Sequence, residues 1–360
     1  MKQSRKQFLL LAKIKLAMRI LLSFLVCMTL ISLQCCKSSK KTAEITTPGA
    51  LNVLFYNVEN LFDTEDDPNT FDEDFTPTGK LSWDEERYGN KLNNLSRVIT
   101  IDGTLMPDLV GLCEVENRKV VEDLMADANF KGIEYKVVHK DSPDGRGIDV
   151  ALAYNPKKLK VEEVNYISTK LPVGTRPNTR DAMHVVGISG GDTIHIFVNH
   201  WPSRTGGQEK SEPNRLTVAR NVRKEVNKIL EADSDAKILL MGDFNDYPNN
   251  KSLRDVLEAK KDDGILINLM WDTNKMGEGT YNYKGDWGAL DQFIVSPSLM
   301  DAGLGYNVKD DKVHIIKEDW MMYTNKEGVA YPNRTYGGKN YYGGFSDHLP
   351  IRLVLDYSGE

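Results

Sequence analysis

The sequence predicts an α/β fold, and three observations lead to it. Between Leu51 and Asp356, apolar runs of strand length alternate with stretches of helical periodicity. No internal repeat and no long flexible linker interrupts them, which favours one domain. Polar residues of reactive type stand at the C-terminal ends of some strand runs and just before others. Ends and starts meet on one rim only if neighbouring strands run in opposite directions, in one mixed sheet or a pair of them.

The strand runs are "LNVLFYNV" (51–58), "PDLVGLCEV" (107–115), "DVALAYN" (149–155), "KVEEVNYI" (160–167), "MHVVGI" (183–188), "TIHIFVNHW" (193–201), "KILLMGDF" (237–244), "LDQFIVS" (290–296) and "PIRLVLDY" (350–357). They are rich in β-branched and aromatic residues and bounded by turn formers. The clearest helix spans Pro213 to Leu230. Leu216, Ala219, Val222, Val226, Ile229 and Leu230 fall at helical spacing, and Ser211 with Pro213 suits its start. Shorter helices fit Lys91 to Ile99, Val120 to Ala126 and Ser252 to Ala259.

The first 49 residues are of another kind. Lys2, Arg5, Lys6, Lys13, Lys15 and Arg19 precede a 14-residue apolar run, Ile20 to Leu33, then Cys35 and Cys36. That run suits an export signal and is short for a membrane-spanning helix. Met18 would start a signal of more usual length. "SLQCCKSSKK" resembles a bacterial lipoprotein processing site, with Cys35 or Cys36 acylated, although Gln34 or Cys35 stands where a small residue is usual. A plain secretory signal and an uncleaved anchor are the other readings. Residues 1–36 are therefore read as an export signal, 37–49 as a tether and 50–358 as the catalytic domain, exported and lipid-anchored to a bacterial membrane.

Composition narrows the function. The chain has 40% hydrophobic and 27% charged residues, ordinary for a globular protein. Loss of the six signal cations leaves 46 − 6 = 40 Lys and Arg against 52 Asp and Glu, a net charge of −12. That argues against an electrostatically sticky nucleic-acid binder, but not against an enzyme that recruits a divalent metal and carries local arginines. Past the signal only Cys113 remains, so no disulfide framework supports the fold, and Cys113 reads as a small core residue. "DTEDDPNTFDEDF" (63–75) holds seven acidic residues. It reads as a solvated loop, with a Ca2+ site as the alternative, since it lacks the Gly and closing Glu of an EF-hand.

The polar residues define the chemistry. Asn57, Glu114, His200, Asp243 and Asn245 close apolar runs; Asp291 opens one, and Asp347 with His348 precede another. In "GDFND", extended backbone would point Asp243 and Asn245 to one side and Phe244 to the other, toward the core. Taken alone this segment is a turn more often than a site. Carboxylates with an amide and no clustered cysteine suit a hard cation, Mg2+ or Mn2+, rather than zinc. His200 and His348 add acid–base capacity near neutral pH. Together they suit phosphoester hydrolysis.

"YNVENL", "VGLCEVEN", "VNHWPSR", "MGDFND", "LDQFIVS" and "FSDHLP" occur in the order of the endonuclease/exonuclease/phosphatase superfamily, and the sequence resembles that DNase I-like family over about Leu51 to Tyr357. The resemblance implies an α/β (α+β) fold, a four-layer α/β/β/α sandwich of two mostly antiparallel sheets with the site at one end. It implies that Glu114 is the principal metal carboxylate, supported by Asn57 and Asp347. Asp243 would orient or deprotonate water, Asn245 and His200 would contact the scissile phosphate, and Asp291 with His348 would form an acid–base pair. Whether Asp243 or the His348 pair is the base stays open.

Arg204, in "HWPSRTGG", reads as a phosphate contact, and Arg334, in the Tyr- and Gly-rich "YPNRTYGGKNYYGG", as a substrate contact. Arg180 and Arg176 are weaker candidates, and Arg146 suits a structural ion pair. Glu59 is a possible second metal ligand. His139, His184, His195 and His314 match no motif and read as structural or surface residues. The leading reading is an exported nuclease cleaving DNA or RNA, with no obligate protein partner. A phosphoesterase on lipid headgroups or inositol phosphates is the alternative, and an inactive surface binding protein is the third reading.

Overall fold

The computed structural model describes residues 49–172, 178–301, 303 and 305–359. The export signal, Arg176 and all but the last residue of the tether lie outside the described residues.

All nine strand runs of the sequence are strands, and they belong to two sheets. The first sheet contains β1 (Leu51–Leu61), β2 (Leu109–Val115), β3 (Lys136–His139) and β4 (Asp149–Tyr154). The second begins with β5 (Lys160–Ile167), β6 (Ala182–Ser189), β7 (Asp192–His200) and β8 (Lys237–Asp243). It is completed by β9 (Ala259–Lys260), β10 (Leu266–Asn268) and β11 (Asp291–Val295), while β12 (Gly305–Ile315) and β13 (Ile351–Ser358) return to the first. The orders are β12-β13-β1-β2-β4-β3 and β5-β6-β7-β8-β11-β10-β9. Both sheets are mixed and mostly antiparallel, with parallel pairs β1/β2, β7/β8 and β9/β10.

Strand alternation builds the layers. Val53 and Phe55 of β1 and Leu239 and Met241 of β8 point between the sheets, into a core shared with Val198, Phe293 and Leu353. Leu54 and Tyr56 point the other way, under α1 (Glu85–Ile99) and α2 (Arg118–Met125). Ile238 and Leu240 meet Ala219, Val222 and Val226 of α3 (Gln208–Ala232) on the outer face of the second sheet. The result is α/β/β/α. Strands dry on both faces read as continuous apolar runs, and each buried Leu, Val or Phe is worth roughly 1.5–3 kcal/mol. Gly111 lets the sheets approach, since a Cβ there would lie 2.7 Å from the sulfur of Met241. Cys113 is buried in this layer.

Two helices start earlier than their periodicity predicts. Helix α1 begins at Glu85 rather than Lys91, because Asp84 caps it by accepting a hydrogen bond from the Arg87 amide. Helix α3 begins at Gln208, and Pro213 lies inside it. The extra turn is held from outside by Arg215, which donates to the carbonyls of Pro202, Ser203 and Gln208. The segment Ser252–Leu257 is a π-helical turn rather than an α-helix.

Candidate active site

Strand direction brings the motifs to one rim. Strands β1 and β2 run parallel with Asn57 opposite Cys113, so Asn57 and Glu114 end together. Strand β13 is antiparallel to β1, which brings the residues preceding it, Asp347 and His348, to the same end. In the second sheet His200 is level with Asp243 on a parallel strand, and Asp291 is level with Asp243 on an antiparallel one. A cleft of about 690 Å³ opens there, lined by Glu114, His200, Asp243, Asn245, Asp347 and His348 with further residues. Glu59, Asn60, Glu114 and Asn245 around it hold left-handed φ of 50°, 56°, 63° and 50°. Such conformations are costly for residues with a Cβ and concentrate where surrounding structure enforces a geometry.

Asp243 is the centre. Its Oδ1 accepts the Asn245 amide at 2.9 Å and its Oδ2 the Asn57 side-chain amide at 3.1 Å. Nε2 of His200 and Nε2 of His348 face the same Oδ2 at 3.8 and 3.9 Å. Burial pushes the Asp243 carboxyl up to about 6, partly offset by His348. Phe244 is buried against Trp201, with ring centroids 4.9 Å apart, so the aromatic side chain anchors the turn while its two polar neighbours face the cleft.

The two histidines are tuned in opposite directions. Burial, followed by Arg180, Arg146 and His348, pushes His200 well below its ordinary value and keeps it neutral. Its Nδ1 is buried without a hydrogen-bond partner, which places the proton on Nε2, the nitrogen facing Asp243 and Glu114. Burial also opposes a charge on His348, but Asp291, Asp243 and Asp347 outweigh it and raise His348 well above its ordinary value. Asp291 Oδ2 lies 2.7 Å from His348 Nδ1 and also accepts the Thr280 hydroxyl. Ligand atoms of Asp243, Asp291 and His348 cluster within 4.8 Å. The short His348–Asp291 contact has the geometry of a carboxylate–imidazole pair.

Hard oxygen donors for a cation lie across the cleft. Asn60 N–H holds Glu114 Oε2 at 3.1 Å, and Oε1 faces His200 at 3.7 Å. Arg334 binds Asp347 Oδ2 at 3.0 Å and Glu59 Oε1 at 2.9 Å. Glu114 and Asp347, two carboxylates with no sulfur nearby in the lining, fit Mg2+ or Mn2+. Asn57 does not line the cleft, and both its polar atoms are paired: Nδ2 with Asp243 and Oδ1 with the Glu59 amide. Asn57 thus supports Asp243. Glu59 is held by Arg334 and the Thr335 amide, with burial raising its carboxyl to about 7.

The arginines divide. Arg334 lines the cleft between Glu59 and Asp347. Arg204 also lines it, but donates to the Asn245 carbonyl, Asp246 and Asn250 and lies 4.2 Å over the Tyr247 ring. Arg180 is buried beneath, donating to Asp144 at 2.9 Å and to the Trp201 carbonyl at 2.8 Å. Two of its guanidinium nitrogens hold the loop that carries His200, and Arg180 does not line the cleft. Arg146 does reach the cleft, beside Asp144.

Sequence reasoning missed Thr280 and Tyr281, whose ring lies 4.9 Å from the His348 imidazole, because "TYNY" follows no strand run. It also missed buried Lys91, which donates to the Glu59 and Phe345 carbonyls and to Thr335. Asp246, the last residue of "GDFND", is fully buried on Arg215. His184 and His195 pair with each other at 3.0 Å, and His139 pairs with Asp149 at 3.3 Å; neither pair lines the cleft.

Residues 52–357 match the model of the Endonuclease/Exonuclease/phosphatase family. The structure is similar to an endonuclease/exonuclease/phosphatase family protein from Bacteroides thetaiotaomicron (16% identity, TM-score 0.54, covering 87% of this chain and 97% of that one). It is also similar to the human Nocturnin catalytic domain (16%, TM-score 0.52, 87% and 97%). A mannosyl-6-phosphatase from Bacteroides thetaiotaomicron is a third (16%, TM-score 0.52, 85% and 100%). Similarity at these identities concerns the fold. No curated protein matches the sequence.

Proposed function

Because the chain belongs to the endonuclease/exonuclease/phosphatase family and is a phosphoesterase of it, we propose that it is a metal-dependent nuclease. Its substrate is DNA or RNA, which it hydrolyses outside the cytoplasm from a lipid anchor. The carrying observation is geometric: the Asn57 amide, His200 Nε2 and His348 Nε2 converge on Asp243 Oδ2 at 3.1, 3.8 and 3.9 Å, in a cleft also lined by the carboxylates Glu114 and Asp347.

At neutral pH Asp243 is largely ionised and accepts the proton of an attacking water. His348, charged and oriented by Asp291, donates a proton to the leaving oxygen. His200 offers Nε2–H to a phosphoryl oxygen, and the cleft arginines meet the remaining anionic oxygens. Glu114 and Asp347 would hold Mg2+, which supplies polarisation of the phosphoryl group and charge neutralisation.

The open cleft with Arg146, Arg204 and Arg334 on its walls supports a polyanion. A bilayer substrate has less support. Among the described residues the exposed Phe71, Ile265 and Met276 sit on separate segments, and the exposed rings beside the cleft, Tyr283, Tyr323 and Tyr342, all carry polar hydroxyls.

The test is a panel with Mg2+ and the full chain: single-stranded and duplex DNA, RNA, sphingomyelin, inositol phosphates and a phosphomonoester. Hydrolysis of DNA or RNA, abolished by EDTA, is expected. Turnover confined to the lipid, inositol or monoester substrates would replace the nuclease reading.

A further inference from the structure

Beside the cleft lies a second cavity of about 470 Å³, walled by Tyr281, Tyr323, Tyr331, Tyr342, Arg334 and Asp347 with flanking residues. It shares Tyr281, Arg334 and Asp347 with the cleft, so the two lie side by side. Its outer wall is a small hairpin, Met322–Thr324 with Ala330–Pro332, joined by Tyr342, which follows a second hairpin of Tyr336–Gly337 with Asn340–Tyr341. Asn282 ties the first of these to the Tyr281 segment by donating to the Ala330 carbonyl at 3.1 Å.

The walls are aromatic and unpartnered. Tyr323 and Tyr342 are 54% and 58% exposed. Among the described residues, Tyr323, Tyr331 and Tyr342 stack on no other ring. The Tyr342 ring is nonetheless well placed, packed where a Cβ on Gly337 would lie 2.5 Å from it. Asn282 already serves Ala330 and Gly285, and Arg334 and Asp347 bind each other. What the cavity offers is ring faces, with the tyrosine hydroxyls and Asn333 at their edges.

We infer that this cavity is a nucleobase subsite that takes one unpaired base of the strand whose phosphate lies in the cleft. The inference rests on the nuclease reading and sharpens it. Its volume falls in the range of about 300–1,000 Å³ usual for small-molecule sites and admits a single ring system. Stacking on tyrosine is tolerant of base identity and adds affinity along a strand. A base inside a duplex is stacked and paired, and reaching the cavity requires flipping it out. Single strands and frayed ends are therefore the favoured substrates, with Tyr281 linking base capture to the catalytic His348.

The experiment compares kcat/KM for a single-stranded oligonucleotide with that for the same backbone carrying tetrahydrofuran abasic residues. Wild type is expected to prefer the base-bearing strand by about 10-fold. The double variant Tyr323→Ala/Tyr342→Ala is expected to bring the ratio close to 1, and Tyr323→Phe/Tyr342→Phe to restore it. A wild-type ratio near 1, or a ratio unmoved by the alanines, overturns the subsite. Fluorescence quenching of 2-aminopurine deoxynucleoside monophosphate reads the cavity without catalysis. If neither oligonucleotide is cut, the nuclease reading falls. Quenching that the alanine variant loses then upholds the subsite, and absent quenching overturns it.

Discussion

Replacing Asp291 with asparagine isolates one charge in the candidate site. Asp291 is fully buried, and its Oδ2 alone receives both the Thr280 hydroxyl and His348 Nδ1. Its Oδ1 has no hydrogen-bond partner. Asparagine therefore fits with its carbonyl oxygen in the Oδ2 position and its amide in the orphan position, and the ring stays where it is. What disappears is the negative charge that, after burial, most strongly affects His348 and raises it. A hydrogen bond to a charged group is worth about 1.5–3 kcal/mol. Loss of the imidazolium as proton donor adds to that, so the barrier should rise by roughly 3–4 kcal/mol, a loss of about 10²–10³ in kcat. The assay is Mg2+-dependent cleavage of a DNA or RNA oligonucleotide, whose alkoxide leaving group needs a proton, across pH. A general acid must be protonated, so the rate falls above its pKa, and in the variant that fall should begin at lower pH. A kcat within about threefold of wild type, with the alkaline limb unmoved, would refute the assignment of His348.

Two further consequences concern stability. Burial, reinforced by Asp63, Asp72 and Asp67, raises the Glu116 carboxyl from an ordinary 4.5 to about 8. The folded protein then holds a proton that the unfolded chain releases, so stability present below pH 4.5 is lost as pH rises toward 8. Glu116→Gln should flatten that dependence and stabilise the protein at pH 8 by about 2 kcal/mol, after allowance for solvent reaching the site. Urea titrations at pH 5 and pH 8 measure it, and equal wild-type stability at both would contradict the linkage. Arg215→Ala removes the buried guanidinium 2.8 Å from Asp246. A loss of about 3 kcal/mol is expected by denaturant titration, the low end for a broken buried pair because Arg204, Ser252 and Gln208 still donate to Asp246. A loss below about 1 kcal/mol would show that the pair does not hold the turn after Asn245.

The central strands were legible because both of their faces are dry, so Leu54 and Phe55 are equally apolar although they serve different layers. The rim was legible for the complementary reason: a dry strand has no other use for a carboxylate at its end. Strand β12 escaped notice because Asp310 and Asp311 break its pattern with left-handed backbone and exposed charge. Helix starts depended on single side chains, Asp84 for α1 and the distant ion pair of Arg215 for α3, which periodicity does not register. The protein partners of Asn57 and Arg180 were not legible because residue type reveals what a group can bind, not which neighbour reaches it. The tyrosine cavity depends on hairpins from 281–288 and 322–341 meeting, a long-range contact with no periodic signature.

The central claim is that carboxylate and imidazole groups from separate strand ends share one divalent ion and one phosphate. Anomalous scattering from crystals soaked in Mn2+ and phosphate tests it most directly. The account expects manganese in the cleft at about 2.1 Å from carboxylate oxygens of Glu114 and Asp347, with phosphate within hydrogen-bond reach of His200 and His348. Manganese bound elsewhere, with Glu114 outside its coordination shell, would contradict it.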